Sequence, residues 1–513
     1  MTGAEGFLLA MGLGLFAGIL SGIPAMLAIA GVPLVTALIG AAFGVFDLAF
    51  LNFFPARVWG VMSNRLLMAV PLFILMGVLL ERARLAERML GVLARMTGGS
   101  ARGMALSVLA FSTLIAASTG IIGATVVMLV LIGLPAMRKA GVDKRLAAGL
   151  ICASGTLGQV IPPSIVLVLL GDQIGNVYLE AQQRAGNFAP DAVSVGDLFA
   201  GALIPGLVLV AFYAVYVALR LKPAPGPAPS PRDPVPAGEV LFTFLPPVLL
   251  ILAVLGSILA GVATTTEAAG LGAVGAALLA AHAAEPLRAG RWLIAAAGLA
   301  ALVLVGLGMA GMGRAAPGSA AGIAALAAAA LIGAGTLWAG GRLWRVGLLQ
   351  GAMADTVRIS GMVFGIVVAA SLLSLVFRGF GGDHLVEAWM AALPGGTYGA
   401  IALVMALIFL MGFLLEAVEI IYIVVPLLGP PILGTDISPV WFAILIAMNL
   451  QTSFLTPPFG FALFYFRSVA PPDITTLDTY RGVVPFVLLQ LAALGVLIAV
   501  PGLATWLPDL IFR

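Results

Sequence analysis

Fourteen apolar stretches follow one another along this chain, and most of them are long enough to cross a lipid bilayer. A helix needs about 20 apolar residues to span the hydrocarbon core. Of the 513 residues, 62% are apolar and only 9% are charged, whereas soluble domains are about 45–50% apolar and about 25% charged. The sequence therefore excludes a water-soluble globule and predicts an all-α polytopic membrane protein with twelve spans.

Two of the stretches, 103–137 and 398–434, are too long for one plain span, and each is interrupted near its middle. The first interruption is Ser118-Thr119-Gly120, and the second contains Glu416 and Glu419. Backbone that leaves the helix at membrane depth survives only inside protein or facing water. We therefore predict two re-entrant helical hairpins, whose tips are candidate sites.

The charges between the apolar stretches indicate the orientation of the chain. Basic residues are concentrated in 81–102 and 138–145, which flank the first hairpin and are expected on the cytoplasmic side. The segment 172–197 carries four acidic residues against one arginine and is predicted to be an outer loop. Seven prolines make 221–240 a semi-rigid linker. Continuing the count predicts that the second hairpin enters from the outer face, opposite to the first.

An internal repeat relates the two hairpin regions at a constant offset of 295 residues. Pro162-Pro163 corresponds to Pro457-Pro458, and the tip at 118–123 corresponds to 413–418. Each proline pair follows a short polar segment inside an apolar stretch. Inverted repeats with interrupted helices are typical of secondary transporters, whose sites lie near the bilayer midplane.

The proline pairs predict two broken spans with local ion-binding chemistry. Pro162-Pro163 removes two N–H donors, so carbonyl groups around Gly158 and Gln159 lose their helical partners. Unwound carbonyls and hydroxyls suit a hard cation such as Na⁺, because they supply oxygen ligands without negative charge. The first break adds the hydroxyls of Ser154, Thr156 and Ser164. The mirror segment offers Asn449, Gln451, Thr452, Ser453 and Thr456 before Pro457-Pro458.

Glu416 and Glu419 are the acidic residues of the second tip. A carboxylate at membrane depth is costly and is a functional hypothesis by default. The two are three residues apart, so one helical face can present both. Cation coordination, proton coupling and hydration of a substrate chamber are open alternatives, beside a tip that merely sits in a water-filled vestibule. Glu267, after a run of threonines, is interpreted as a helix cap.

Several motifs together resemble the large membrane subunit of tripartite ATP-independent periplasmic (TRAP) transporters, within the elevator-type ion transporter superfamily. The resemblance extends from about residue 20 to residue 490. Its motifs are Pro71–Gly77, Ile161–Ile165, Gly261–Ala269 and Asn449–Gly460.

The resemblance implies Na⁺-coupled import of a small organic acid at the bacterial inner membrane, with Na⁺ as coupling ion and no other cofactor. It also implies a periplasmic substrate-binding protein, a small four-span membrane subunit, and a mobile transport domain with one sodium site per repeat. By position, the first site would draw on Ser118, Ser154, Thr156 and Pro162, surrounded by Thr119, Gly120, Gly155, Gly158 and Gln159. The second would draw on Asn449, Gln451, Thr452 and Thr456, beside Glu416, Glu419 and Pro457.

The chain departs from the family pattern at three places. The first tip has no carboxylate, and the usual Thr-Pro-Thr-Glu is Thr264-Thr265-Thr266-Glu267. The segment 283–345 has the composition of an inserted pair of Ala/Gly-rich spans. The predicted organisation is scaffold spans at 1–102, 172–282 and 346–397, transport-domain segments at 103–171 and 398–466, the insertion at 283–345, and a last span at 467–513.

Two other functions remain open from the sequence. One is a stand-alone ion-coupled carboxylate carrier that works without a receptor. The other is a polytopic membrane enzyme, but the chain contains neither His-Glu-x-x-His nor Gly-x-Ser-x-Gly. Its three lysines, Lys139, Lys144 and Lys222, lie outside any phosphate-binding Gly-Lys-Ser/Thr loop, which excludes an ATP-driven pump.

Overall fold

The structure is a computed structural model that describes residues 3–83, 85–97, 100–120, 122–221, 235–284, 288–310 and 318–513. In these ranges the regular structure is entirely helical, which confirms the all-α prediction. The α-helices are α1 (Gly3–Leu20), α2 (Ala25–Ala42), α3 (Phe54–Ser63), α4 (Ala69–Arg82), α5 (Leu85–Met96), α6 (Ala101–Thr119), α7 (Ile122–Met128), α8 (Leu134–Lys139), α9 (Lys144–Gly155), α10 (Ile165–Arg184), α11 (Val195–Arg220), α12 (Ala237–Leu259), α13 (Thr265–Ala284), α14 (Arg288–Met309), α15 (Ala320–Arg345), α16 (Leu348–Gly379), α17 (Gly382–Ala391), α18 (Gly396–Met411), α19 (Ala417–Leu428), α20 (Pro430–Leu433), α21 (Pro439–Leu455), α22 (Phe461–Val469), α23 (Thr476–Ala499) and α24 (Gly502–Phe512).

Within the described ranges, ten helical segments are long and apolar enough to cross a membrane. The number rises to 12 if each of two bent helix pairs counts as one span. One pair, Leu48–Ser63 with Leu66–Arg82, bends by 54°, and the other, Gly382–Ala391 with Gly396–Met411, bends by 120°. This count includes arms of both hairpins, Ile122–Lys139 and Gly396–Met411, so it supports a polytopic protein but does not test the predicted twelve spans.

The internal repeat is visible in where the helices begin. The first hairpin is α6 and α7, joined through Gly120, and the second is α18 and α19, joined through residues 412–416. Helices α6, α7 and α9 start at Ala101, Ile122 and Lys144, and α18, α19 and α21 start 295 residues later, at Gly396, Ala417 and Pro439. The offset was derived from prolines and tip residues, so the equal spacing of the helix starts confirms it independently.

Two segments differ from their expected form. The predicted outer loop 172–197 is wrong at its start, because α10 continues to Arg184. Asp172 therefore lies inside a helix and is only 4% exposed, which its hydrogen bonds to neutral groups allow. Of the predicted linker 221–240, residues 222–234 lie outside the described part of the chain, and α12 already begins at Ala237.

By contacts, the chain divides into two compact units. One comprises Met1–Leu67, Val168–Val195 and Arg358–Ser453, and it contains the second hairpin. In this unit the ring of Phe380 packs between Phe7 and Phe46, with ring centroids 5.6 Å and 4.8 Å away.

The other unit comprises Met68–Leu167, Gly196–Val357 and Phe454–Arg513, and it contains the first hairpin. Here α9 and α23 pack along each other, and Arg145 Nε donates to Asp478 Oδ1 at 2.9 Å. Helices α14 and α15, from the segment predicted to be an insertion, pack against each other in the same unit. The division into scaffold and transport domains stays a prediction.

Candidate functional site

The first break separates α9 from α10. Helix α9 ends at Gly155, a 3₁₀ turn covers Leu157–Gln159, and α10 begins only at Ile165. The intervening Pro162–Pro163 peptide bond is cis. Neither proline can donate a backbone hydrogen bond, which favours a break in the helix at this point. Every residue from Leu146 to Gly171 is buried, so the break lies inside protein as expected for unwound backbone.

The tip of the first hairpin packs against this break. Gly120 has a φ of +59°, a left-handed conformation that glycine adopts without strain. A Cβ added to Gly158 would lie 3.2 Å from the carbonyl oxygen of Ala116 and 3.4 Å from Gly120 Cα. The structure therefore brings Gly120 and Gly158 together. The side chains of Ser118 and Thr119, also predicted here, lie outside the described residues.

The hydroxyl groups of the first break are oriented by the backbone. Ser154 Oγ donates to Leu150 O at 2.6 Å, and Thr156 Oγ1 donates to Ala153 O at 2.8 Å. Ser164 Oγ donates to Gln159 O at 3.0 Å. Because each hydroxyl donates its hydrogen to a carbonyl, the lone pairs of its oxygen remain available to a cation or to another donor.

Gln159 adds a buried amide to the same place. Its Oε1 has no hydrogen-bond partner among the described residues, and the residue is only 3% exposed. Leaving such a buried acceptor unpaired costs about 1–3 kcal/mol. This oxygen can therefore coordinate a cation, or accept a hydrogen bond, from outside the polypeptide.

The second break follows α21, and its polar residues make different kinds of contact. Asn449 Nδ2 donates to Met405 O at 2.7 Å, and Ser453 Oγ donates to Phe409 O at 2.8 Å. These two bonds, one turn apart on both helices, hold α21 against the first arm of the second hairpin. Thr452 Oγ1 donates to Met448 O at 2.9 Å. Beyond the helix end come Thr456 and then Pro457–Pro458, whose peptide bond is again cis.

Gln451 is the second buried amide. The residue is fully buried, and neither Oε1 nor Nε2 has a partner among the described residues. At the repeat offset it takes the position of Thr156. Each repeat thus places a buried amide oxygen, without a partner among the described residues, within a few residues of its proline pair.

The two glutamates of the second tip form a capping box on α19. Glu416 is the N-cap, its side chain accepts from the backbone N–H of Glu419, and its own backbone N–H donates to Glu419 Oε2 at 3.2 Å. The Glu-x-x-Glu spacing is the signal that could have revealed this role from the sequence. The capping box fixes the direction in which α19 leaves the tip.

A buried cluster around Asp172 was missed by the sequence analysis. Asn64 Nδ2 donates to Asp172 Oδ1 at 2.7 Å. Tyr422 Oη and Gln173 Nε2 both donate to Oδ2 at 3.2 Å. Tyr422 lies one helical turn beyond Glu419, so the cluster anchors the second hairpin. It was missed because a charged residue after an apolar stretch looked like the start of a loop.

Comparison with known proteins decides the family. The profile described as "Tripartite ATP-independent periplasmic transporter, DctM component" matches residues 13–292 and 278–503, which is most of the chain. The chain belongs to the DctM family. It is therefore a transporter permease of the inner membrane and not an enzyme, which confirms the resemblance seen in its motifs.

Individual relatives of this DctM-family chain agree with that assignment. The C4-dicarboxylate TRAP transporter large permease protein DctM of Rhodobacter capsulatus is 27% identical over 450 residues, 87% of each chain. The sialic acid TRAP transporter large permease protein SiaM of Vibrio cholerae is 24% identical over 467 residues, 90% of each chain. The solved structure of Neisseria gonorrhoeae MtrF, described among antimetabolite efflux pumps, shares the fold at a TM-score of 0.52 and 11% identity, over 88% of this chain and 84% of MtrF.

Proposed function

We propose that this permease imports a small organic acid coupled to Na⁺, by elevator-type alternating access, after a periplasmic binding protein delivers the substrate. The observation that carries the proposal is the repeated break. In each repeat a proline pair interrupts a span beside buried hydroxyls and a buried amide oxygen that has no partner among the described residues, that of Gln159 in one and of Gln451 in the other. Neutral oxygens of this kind suit Na⁺, and broken helices at inverted repeats are where secondary transporters bind their coupling ions.

The ligands we assign to the two ions follow the breaks. The first ion would take Ser118, Ser154, Thr156 and the backbone at Pro162. The second would take Gln451, Thr452, Thr456 and the side-chain oxygen of Asn449, since the amide nitrogen of Asn449 is already bonded to Met405 O. The capping box formed by Glu416 and Glu419 would keep the second tip close to these groups.

The substrate class and the partners rest on the family. Membership of a tripartite family implies two further components, a small membrane subunit and a periplasmic binding protein. The names of the two relatives above specify a C4-dicarboxylate and a sialic acid, which are both organic acids. For this chain we propose the same broad class.

The test is uptake into proteoliposomes that contain the full chain and its small membrane subunit, with the cognate binding protein outside. Uptake should require an inward Na⁺ gradient. Uptake driven by pH alone would refute sodium coupling, and equal uptake of free substrate without the binding protein would favour a stand-alone carrier.

Two variants test the ligand assignment. Thr156→Val and Gln451→Leu should each raise the half-saturating Na⁺ concentration about tenfold, the effect of losing about 1.4 kcal/mol of binding free energy. Thr356→Val is the matched control, because the Thr356 hydroxyl is also buried and also donates to a helical carbonyl, at 2.8 Å. Unchanged sodium dependence in both site variants would remove Thr156 and Gln451 from the sites.

A further inference from the structure

Among the described residues, three glutamines have buried side-chain amide atoms without a hydrogen-bond partner: Gln159, Gln451 and Gln490. Two of them belong to the breaks already described. Gln490 lies in α23, is only 1% exposed, and has no partner for either Oε1 or Nε2. A buried group left unpaired costs about 1–3 kcal/mol, so the position of this third amide needs a reason.

The packing of α23 on α9 fixes the level of Gln490. Arg145 on α9 bonds Asp478 on α23 through Nε and Oδ1. Four residues further along both helices, the backbones of Gly149 and Gly482 meet, and a Cβ on Gly482 would lie 3.2 Å from Gly149 N. The helices therefore run parallel and in register. Eight residues beyond Gly482, about 12 Å along the axis, Gln490 reaches the level of Leu157, the first residue of the 3₁₀ turn.

The contacts that α11 makes with α23 and with the first break also place Gln490 near the level of that break. The ring of Tyr213 packs against Phe486, with centroids 5.2 Å apart. Seven residues earlier on α11, a Cβ on Gly206 would lie 3.4 Å from Ile161 Cγ1 and 3.5 Å from Val160 Cγ1. Helix α11 thus connects the level of Phe486 with the level of the break. Gln490, one turn beyond Phe486, lies between them.

We propose that Gln490 is a further ligand of the sodium ion at the first break. Its amide oxygen has the same chemistry as that of Gln159, a neutral hard oxygen that coordinates Na⁺ without adding charge. The amide oxygen is left unpaired by the fold because its partner is the ion. This inference rests on the proposed sodium coupling, and it assigns to that coupling a residue from the last long helix, outside both hairpins and both broken spans.

The experiment measures thermal unfolding of the full chain, co-purified with its small membrane subunit, as NaCl replaces choline chloride. Gln490→Leu keeps the side-chain volume and removes both polar atoms. Because no protein bond is lost, its Tm in choline should equal or exceed that of the wild type. The half-saturating Na⁺ concentration for stabilisation should rise about tenfold. Gln350→Leu is the matched control, since Gln350 is exposed and its Nε2 donates to Trp344 O.

Two outcomes would contradict the assignment. A lower Tm in choline with an unchanged response to Na⁺ would show that the amide serves the fold, for example by bonding a buried water. An equal sodium response in wild type and Gln490→Leu would remove Gln490 from the site while the proposed function stands. No sodium-specific shift in the wild type would instead refute the coupling itself. If Gln490→Leu does not fold, Gln490→Asn, which keeps the amide but shortens its reach, is measured in the same way.

Discussion

Gly158 is the position at which a single methyl group should separate the first hairpin tip from the break. In Gly158→Ala, the new Cβ would lie 3.2 Å from Ala116 O, 3.4 Å from Gly120 Cα and 3.5 Å from Gly120 N. All three atoms are backbone of the same tip, so no side chain can rotate away. The tip must move by a few tenths of an ångström.

The magnitude follows from the overpacking of the closed tip. Forcing extra volume into a packed site costs about 1–3 kcal/mol. The restriction that alanine places on the unfolded chain affects folding but not the open and closed forms of the tip, which are both folded. A cost of about 1–3 kcal/mol on the closed tip corresponds to a factor of about 5–150 in an equilibrium. We expect the half-saturating Na⁺ concentration for uptake to rise by this factor.

The assay is proteoliposome uptake at varied Na⁺, with the amount of inserted protein measured in each preparation. Gly256→Ala is the control, because nothing lies within 4 Å of a Cβ at that position of α12. Gly256→Ala should transport like the wild type and be slightly more stable. Normal sodium dependence in Gly158→Ala would mean that the tip does not close on the break when the ion binds, and the reasoning would be refuted.

Two further results are expected from measurements of thermal stability. Tyr422→Phe removes a hydrogen bond to a buried carboxylate and should cost about 1.5–3 kcal/mol, measured as a drop in Tm. The control variant Tyr178→Phe, on α10 itself, should leave Tm unchanged. Equal Tm values for the two variants would contradict a role of the Asp172 cluster. Burial alone would raise the pKa of Glu180, but hydrogen bonds and charges from Arg378 and Arg184 outweigh burial and lower the pKa below its ordinary 4.5. A lowered pKa stabilises the fold above the ordinary value and this stability is lost as pH falls through the lowered one. Glu180→Gln should therefore reduce Tm at pH 7. The difference from wild type should shrink as the pH falls below the ordinary value of 4.5. A difference that persists in acid would contradict the ion pair.

The sequence by itself determined the class, the repeat and the positions of both breaks. Uninterrupted apolar stretches leave helices as the structure because lipid cannot satisfy exposed backbone groups. The pairs Pro162-Pro163 and Pro457-Pro458 coincide with helix breaks, since proline has no N–H to donate. A proline pair alone does not decide this, because α12 continues through Pro246-Pro247. These are local properties, so the over-long stretches 103–137 and 398–434 sufficed to locate the hairpins, and Pro162-Pro163 and Pro457-Pro458 the broken spans.

Only the tertiary structure decided which polar groups are used. Asn449 and Ser453 looked like equivalents of Gln451, but their hydrogen bonds to α18 are visible only once two helices are packed. Asp172 looked like a loop residue because its neutral partners come from segments far away in the chain. Gln490 carried no signal at all, since its significance is a buried amide without a partner. Whether a polar atom is satisfied depends on three-dimensional neighbours, and the order of residues does not contain that information.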